Sequence, residues 1–305
     1  MNEFTNDKKG ILLETGTNEF EIVEFTVGKV HYGINVAKVR EVINLVPITQ
    51  MPKSHPYVDG IFTLRGRVMP LVNLLRCLGS EEQEVDSKNI IISELNTHFV
   101  GFLVNEVSRI HRVSWSAMEP PPSVADSEMA VGIIKMEEKI IILLDFEKII
   151  AEINPQINDK LTNVSQSGME LQEIRKTKKI IVVEDSKMLR DILIESLHKA
   201  GYLNVTSYQN GKEAWDALAT LANTGVAIEE NIHMLITDIE MPQMDGHHLL
   251  KRIRDDRALN KLPVVIFSSL INEEMRRKGE AIGADGQVSK PEINKLIDLL
   301  DAKSL

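Results

Sequence analysis

Four apolar runs in the C-terminal half of this 305-residue chain lead into residues able to act on a phosphate. KIIVVE ends at Glu184, followed by Asp185; HMLITD ends at Asp238; PVVIFS ends at Ser268; and GQVS is followed by Lys290. Carboxylate oxygens are hard ligands suited to Mg²⁺, which keeps several waters and takes one or two carboxylates together with phosphate oxygens. A cation held by Glu184, Asp185 and Asp238 would offset their mutual repulsion and neutralise charge on an incoming phosphoryl group. Lys290 offers a compact cation for a phosphate oxygen, and the Ser268 hydroxyl can donate to another. Asp238, the lone central carboxylate, is the best nucleophile, whereas the adjacent pair Glu184 and Asp185 suits metal binding. Acids often follow strands as helix caps or turn residues. The assignment therefore rests on five positions converging rather than on any one of them.

Convergence requires a particular scaffold. From Lys178 the pattern alternates strands with helices, and the last helix carries Ile293, Leu296, Ile297 and Leu300 at the i, i+3, i+4, i+7 spacing of one buried face. Five such alternations predict a doubly wound parallel α/β sheet, whose functional crevice lies at the carboxyl ends of the strands. His247 and His248 sit next to each other on a predicted helix, about 100° apart, and read as exposed helix residues. HExxH, Walker-type and GxSxG signatures are absent from the sequence.

The N-terminal half has a different period. Short strand-like runs from about Glu21 to Phe146, punctuated by Gly28, Gly60, Gly66, Pro47, Pro52, Pro56 and Pro70, predict an all-β barrel architecture. Val36 to Asn44 and Leu71 to Leu78 read as short helices, and Tyr32 and Gly33 as core and turn. The stretch 154–176 is polar, broken by Pro155 and Gly168, and reads as a linker with a weakly amphipathic helix over Met169 to Ile174. The expected organisation is a tail over 1–20, a β domain over 21–153, the linker over 154–176 and an α/β domain over 177–305.

Composition bounds the partners. The chain is 43% hydrophobic and 26% charged with a formal net charge of -10, which opposes nonspecific attraction to nucleic acid or an anionic membrane surface. The basic run Arg175 to Lys179 reads as a solvated approach to a strand. No apolar stretch approaches the roughly 18 residues needed to span a bilayer, and the first residues lack a signal-peptide core. A cytoplasmic protein is expected. The single cysteine, Cys77, lies among Leu74, Leu75 and Leu78 and reads as core.

The strings VVED, LITDIEMPQMDG, VVIFSS and VSKP resemble the response-regulator receiver family over about Lys178 to Ala302. That resemblance implies Asp238 as the phosphoacceptor, Glu184 and Asp185 with the Glu240 backbone carbonyl as Mg²⁺ ligands, Ser268 as the switch hydroxyl and Lys290 as the phosphate-contacting lysine. The switch position that is often aromatic in the family is Gln287 here, which leaves Ser268 and the loop after the fourth strand as the expected relay. VGKVHYGINVAKVREVI, ITQMP and VDGIFTLRGRVMPLVNL, with VGFLVNEV and LLDF downstream, resemble the CheW-like chemotaxis coupling domain over about Glu21 to Ile150.

Members of that family have two small β-barrels side by side and link chemoreceptors to a histidine kinase. Thr63, Leu64, Arg65 and Gly66 stand where the family usually has Asn-Leu-Arg-Gly, which keeps Arg65 in register. The resemblance implies Val39, Glu41, Val42 and Arg65 as partner contacts. A coupling domain followed by a receiver is the arrangement of CheV-type chemotaxis proteins. The expected function is an adaptor between chemoreceptor signalling tips and a CheA-type histidine kinase, located at receptor arrays without membrane insertion and tuned by phosphorylation. Catalysis would be limited to receiver self-phosphorylation and slow hydrolysis. A phosphate sink for the kinase is the main alternative. A DNA-binding regulator would need a basic helix-turn-helix, and a receiver-gated methylesterase would need a nucleophile elbow.

Overall fold

The computed structural model describes residues 18–79, 88–95, 98–121, 129–137, 139–155, 161–165 and 168–304. Its N-terminal half is built from β1 (Glu19–Val27), β2 (Val30–Asn35), β3 (Val39–Asn44), β4 (Val58–Leu64), β5 (Arg67–Asn73), α1 (Leu74–Cys77), β6 (Asn89–Leu95), β7 (His98–Val104), β8 (Glu106–Ser114), β9 (Met118–Glu119), β10 (Ala130–Lys135), β11 (Ile140–Leu144) and α2 (Phe146–Ile153). Two sheets form, in the orders β8-β1-β2-β11-β10-β9 and β3-β6-β7-β5-β4. Strand β1 is apolar on both faces because it serves two cores. Phe20 and Ile22 turn into the first sheet against Trp115, Met118 and Leu143, whereas Val23, Phe25 and Val27 turn towards the second sheet, against Phe102 and Phe146. The second sheet keeps its own core of Phe62, Met69, Leu71, Ile90 and Ile92.

Three local expectations change here. Val36 to Asn44 is a single 3-10 turn over Val36–Lys38 followed by β3, because pairing with β6 overrides the helical spacing of the valines. The helix in Leu71 to Leu78 narrows to Leu74–Cys77, since Leu71 and Val72 belong to β5. Gly33 is a strand residue rather than a turn residue: a Cβ there would lie 2.7 Å from Leu143 Cδ2, so glycine permits close packing on β11. Cys77 is buried, as expected, and burial pushes its thiol up to about 12.

The C-terminal half contains α3 (Met169–Lys176), β12 (Lys179–Val183), α4 (Lys187–Ala200), β13 (Asn204–Tyr208), α5 (Gly211–Ala222), α6 (Ile228–Asn231), β14 (Met234–Thr237), α7 (Gly246–Asp255), β15 (Val264–Ser268), α8 (Glu273–Ala281), β16 (Gly286–Ser289) and α9 (Ile293–Ser304). The sheet is parallel throughout, in the order β13-β12-β14-β15-β16. Ile293, Leu296, Ile297 and Leu300 face the core, as the spacing predicts.

The segment between the halves is largely held by the second one. Leu161 is buried in its core, the Ser196 hydroxyl donates to Leu161 O at 2.7 Å, and Asn294 bonds both Ser165 N and Asn163 O at 2.9 Å. Arg175, expected in solvent, is 2% exposed. Its guanidinium forks onto Asp301, donates to Ala200 O at 2.6 Å and lies over the Tyr202 ring. Asp301 also accepts from the Tyr202 hydroxyl at 2.7 Å. A planar cation with five donors satisfies such a buried set, where a lysine would not. No described helix is long and apolar enough to cross a membrane.

Candidate functional site

Parallel pairing of β12, β14, β15 and β16 ends the strands at one edge and delivers their next residues to one crevice. Glu184, Asp185 and Asp238 place carboxylate oxygens within 4.8 Å of one another, with Glu184 and Asp238 buried. Lys290, 3% exposed, donates to Glu184 Oε2 at 2.8 Å and to Asp238 Oδ2 at 2.6 Å. Ser268 is fully buried at the end of β15, where its oxygen accepts from Leu270 N at 3.3 Å. Five sequence positions spread over more than a hundred residues thus meet, through the topology that the alternating pattern implied.

Local chemistry fixes each position. Arg190 Nη1 donates to Glu184 O at 2.6 Å and to Asp185 O at 3.3 Å, holding the loop after β12. The Ser186 side chain caps α4 and the Asp245 side chain caps α7, accepting from His248 N at 2.8 Å. Asp238 Oδ1 accepts from Ile239 N at 2.5 Å. Gly246 has a steric reason to be glycine. A Cβ there would lie 1.9 Å from Asp238 O, so no other residue can start α7 without displacing Asp238.

Electrostatics favour an added cation. Burial, then the neighbouring Asp238 carboxylate, pushes the Glu184 carboxyl up to about 8 against the opposing pull of Lys290. Burial and the Glu184 and Asp238 carboxylates also raise Asp185 well above its ordinary range. Burial works against the charge on Lys290, but the acids around it more than compensate and hold its ammonium well above the usual range. Glu184 Oε1 is a buried oxygen with no hydrogen-bond donor. An all-carboxylate cluster with one orphaned oxygen fits a hard divalent cation such as Mg²⁺.

Gln287, expected at the switch position, lies on β16. Its amide donates to Arg276 O at 2.7 Å and packs against Gly279 of α8, where a Cβ would lie 2.5 Å from Gln287 Oε1. The side chain is therefore fastened to α8. His247, expected in solvent, is 2% exposed, and burial pushes its imidazole down to about 3.

The residues expected to meet partners lie elsewhere. Val39 and Glu41 are half-buried and Val42 is exposed on β3. Arg65 projects from the β4–β5 turn, in which Arg65 (φ 50) and Gly66 (φ 79) both have positive φ, as a two-residue type I′ hairpin requires. Arg65 Nη2 reaches Glu41 Oε2 at 2.8 Å, tying the β4–β5 turn to the edge strand β3 at the other end of the sheet order.

Three residues near the acidic crevice escaped the sequence reading because they come from the other half of the chain. Lys38 lies 2.5 Å from Glu240 Oε2 and 3.1 Å from Glu147 Oε1. Glu147, in the first turn of α2, accepts from the Ser269 hydroxyl. Asn35 Nδ2 donates to Glu240 Oε1 at 2.7 Å. Further along the same loop, Asn18 donates to Gln243 O at 2.7 Å and Gln243 N donates to Trp115 O at 3.1 Å. Burial opposes charge on Glu147, but Lys38, Lys290 and Ser269 bring its carboxyl down to about 2. No local periodicity signals such pairings.

Comparison with known proteins divides the chain in the same order. The CheW-like domain model matches residues 21–154, and the response regulator receiver domain model matches residues 180–301. Chemotaxis protein CheV3 of Helicobacter pylori is 29% identical over 304 residues, spanning 92% of this chain and 96% of that protein. Chemotaxis protein CheV2 of the same organism is 27% identical over 285 residues, 88% of each chain. Chemotaxis protein CheW of Thermotoga maritima is 34% identical over 143 residues, covering 46% of this chain and 94% of its own length.

Proposed function

This chain belongs to the CheV-type chemotaxis proteins, a CheW-like domain followed by a response regulator receiver domain, and we propose that it couples chemoreceptors to a histidine kinase under control of phosphorylation at Asp238. The observation that carries this reading is the meeting of Asp185 with the buried Glu184, Asp238 and Lys290, in a crevice lined also by Lys38, Asp145 and Glu147 of the CheW-like domain. Its place would be the cytoplasmic face of a receptor array, reached through protein contacts alone.

In the proposed reaction an Asp238 carboxylate oxygen attacks phosphorus in line, and the bond from phosphorus to the donor's leaving group breaks as the acyl phosphate forms. Lys290 now shares its ammonium between Asp238 and Glu184, and it can pass to a phosphoryl oxygen as charge builds there. The Ser268 hydroxyl, close by at the end of β15, donates to another. Mg²⁺ bound by Glu184, Asp185, Asp238 and the Glu240 carbonyl would neutralise charge on the phosphoryl oxygens. The backbone contact at Gly246 keeps the nucleophile from drifting. Beyond this transfer and slow hydrolysis of its product, the proposed role is that of a scaffold.

On the CheW-like side, Val39, Glu41, Val42 and Arg65 are proposed to contact receptor or kinase. The exposed Val42 and the Arg65 guanidinium, 79% exposed, form an accessible apolar and cationic pair of features. Incubating the full chain with an acyl phosphate donor and Mg²⁺ should raise the intact mass by one phosphoryl group. Equal modification of Asp238→Asn would refute the assignment. A pure phosphate sink predicts modification with no change in receptor-dependent kinase activity.

A further inference from the structure

The CheW-like domain and the receiver meet at the phosphorylation site itself. Lys38 and Glu147 form an ion pair that bridges the two domains: Lys38 also binds Glu240, two residues after Asp238, and Glu147 also binds Ser269, one residue after Ser268. Both side chains are largely buried, at 9% and 11% exposure. Glu147 therefore stands as an anion beside the two receiver loops that a phosphoryl group on Asp238 would engage, and it lies within the field of Lys290.

Further contacts join the domains. Asn35 binds Glu240, Asn18 and Trp115 bind Gln243, and Ala37 packs on the receiver core. Interfaces between domains of one chain resemble transient protein–protein interfaces, so relative motion of the domains is the default expectation. A phosphoryl group brings roughly −1.5 to −2 charge and three strong acceptor oxygens. Placed on Asp238, it would compete with Glu147 for Lys290 and repel the Glu147 carboxylate. It would also draw the loop after β15 inward, away from the hydrogen bond that Ser269 now donates.

We propose that Lys38 and Glu147 form a latch that docks the CheW-like domain on the unphosphorylated receiver, and that phosphorylation of Asp238 releases it. This rests on the reading of Asp238 as phosphoacceptor. Glu147 already lies beside the loop after β15 and on the lysine that holds Glu240, so the negative charge of a phosphoryl group disfavours the docked arrangement. The coupling surface is then presented in two arrangements relative to the receiver, one for each state.

The test is amide hydrogen exchange of the full chain, with intact mass measured on the same samples with and without acyl phosphate and Mg²⁺. Phosphorylation is expected to raise exchange over residues 145–150 and 268–271 about fivefold or more, the lower end of ordinary coupling between sites. Lys38→Met and Glu147→Gln should raise it similarly without donor and should speed phosphorylation, while exchange in β12 stays as in the wild type and reports an intact fold. Donor should leave exchange unchanged in Asp238→Asn. A mass gain of one phosphoryl with unchanged exchange at both segments overturns the release while leaving the phosphoacceptor reading standing. Absence of any mass gain overturns that reading and the release together. Unaltered exchange in both variants overturns the latch.

Discussion

Replacing Gly246 by alanine is the smallest change that tests whether backbone packing sets the position of Asp238. The added methyl carbon would stand 1.9 Å from Asp238 O, 2.9 Å from Asp238 C and 3.1 Å from Thr237 Oγ1. Contacts between non-bonded carbon and oxygen need roughly 3.2 Å or more, so the backbone of Asp238 or the start of α7 must move by about 1 Å. Neither can yield by rotating a side chain, because the obstruction is a carbonyl that also accepts from Thr237 Oγ1 at 2.9 Å. Such overpacking costs about 1–3 kcal/mol of stability. A misplacement of this size at the reacting atom costs about 10²-fold in rate. Single-turnover phosphorylation by an acyl phosphate, followed by intact mass, is the assay, with urea melts alongside. Gly168→Ala, where nothing lies within 4 Å of the new carbon, is the control. Phosphorylation of Gly246→Ala at the wild-type rate would refute the reasoning, since Asp238 would then not be held by this contact.

Two further outcomes are expected. The folded-state pKa of His247 is lowered from 6.5 to about 3 by burial, so below pH 6.5 the unfolded chain takes up a proton that the folded receiver refuses, and stability falls as pH falls. Urea melts should show a loss of about 2 kcal/mol from this group between pH 7 and pH 5, absent in His247→Phe; parallel pH profiles would refute it. Arg65→Ala should leave the melting curve within about 1 kcal/mol of wild type, because the Arg65–Glu41 pair is a surface one and the left-handed turn conformation suits neither residue better. Its binding to receptor or kinase fragments should fall severalfold in pull-downs, and unchanged binding would remove Arg65 from the contact surface.

The convergence of the candidate site residues was legible because they follow apolar strand runs directly, and the placement of strand ends in an alternating α/β chain obeys a general rule. Position along a strand was enough, and no side-chain contact had to be foreseen. Elsewhere the signals conflicted. Val36, Val39 and Val42 repeat at helical spacing, yet β6 was available to pair with this stretch and made Val39–Asn44 a strand. Arg175 and His247 look like surface residues in a polar context, but Arg175 is covered by Asp301 and Tyr202, and His247 lies on the buried face of α7. Lys38 and Glu147 carry no motif because their partners belong to another domain.

The anchoring of the connecting segment sets how far the two domains can part. Leu161 is already buried in the receiver, and α2 of the CheW-like domain runs to Ile153. Only residues 154–160 lie between these fixed points, so the chain from Ile153 to Leu161 reaches at most about 29 Å. An undocked receiver would therefore pivot on a short leash rather than diffuse away. Its local concentration beside the CheW-like domain would stay in the millimolar range or above, and re-docking after loss of the phosphoryl group would be a first-order event, insensitive to how many copies of the protein the cell contains. Lengthening this leash would change the speed of resetting without touching a single residue at either site.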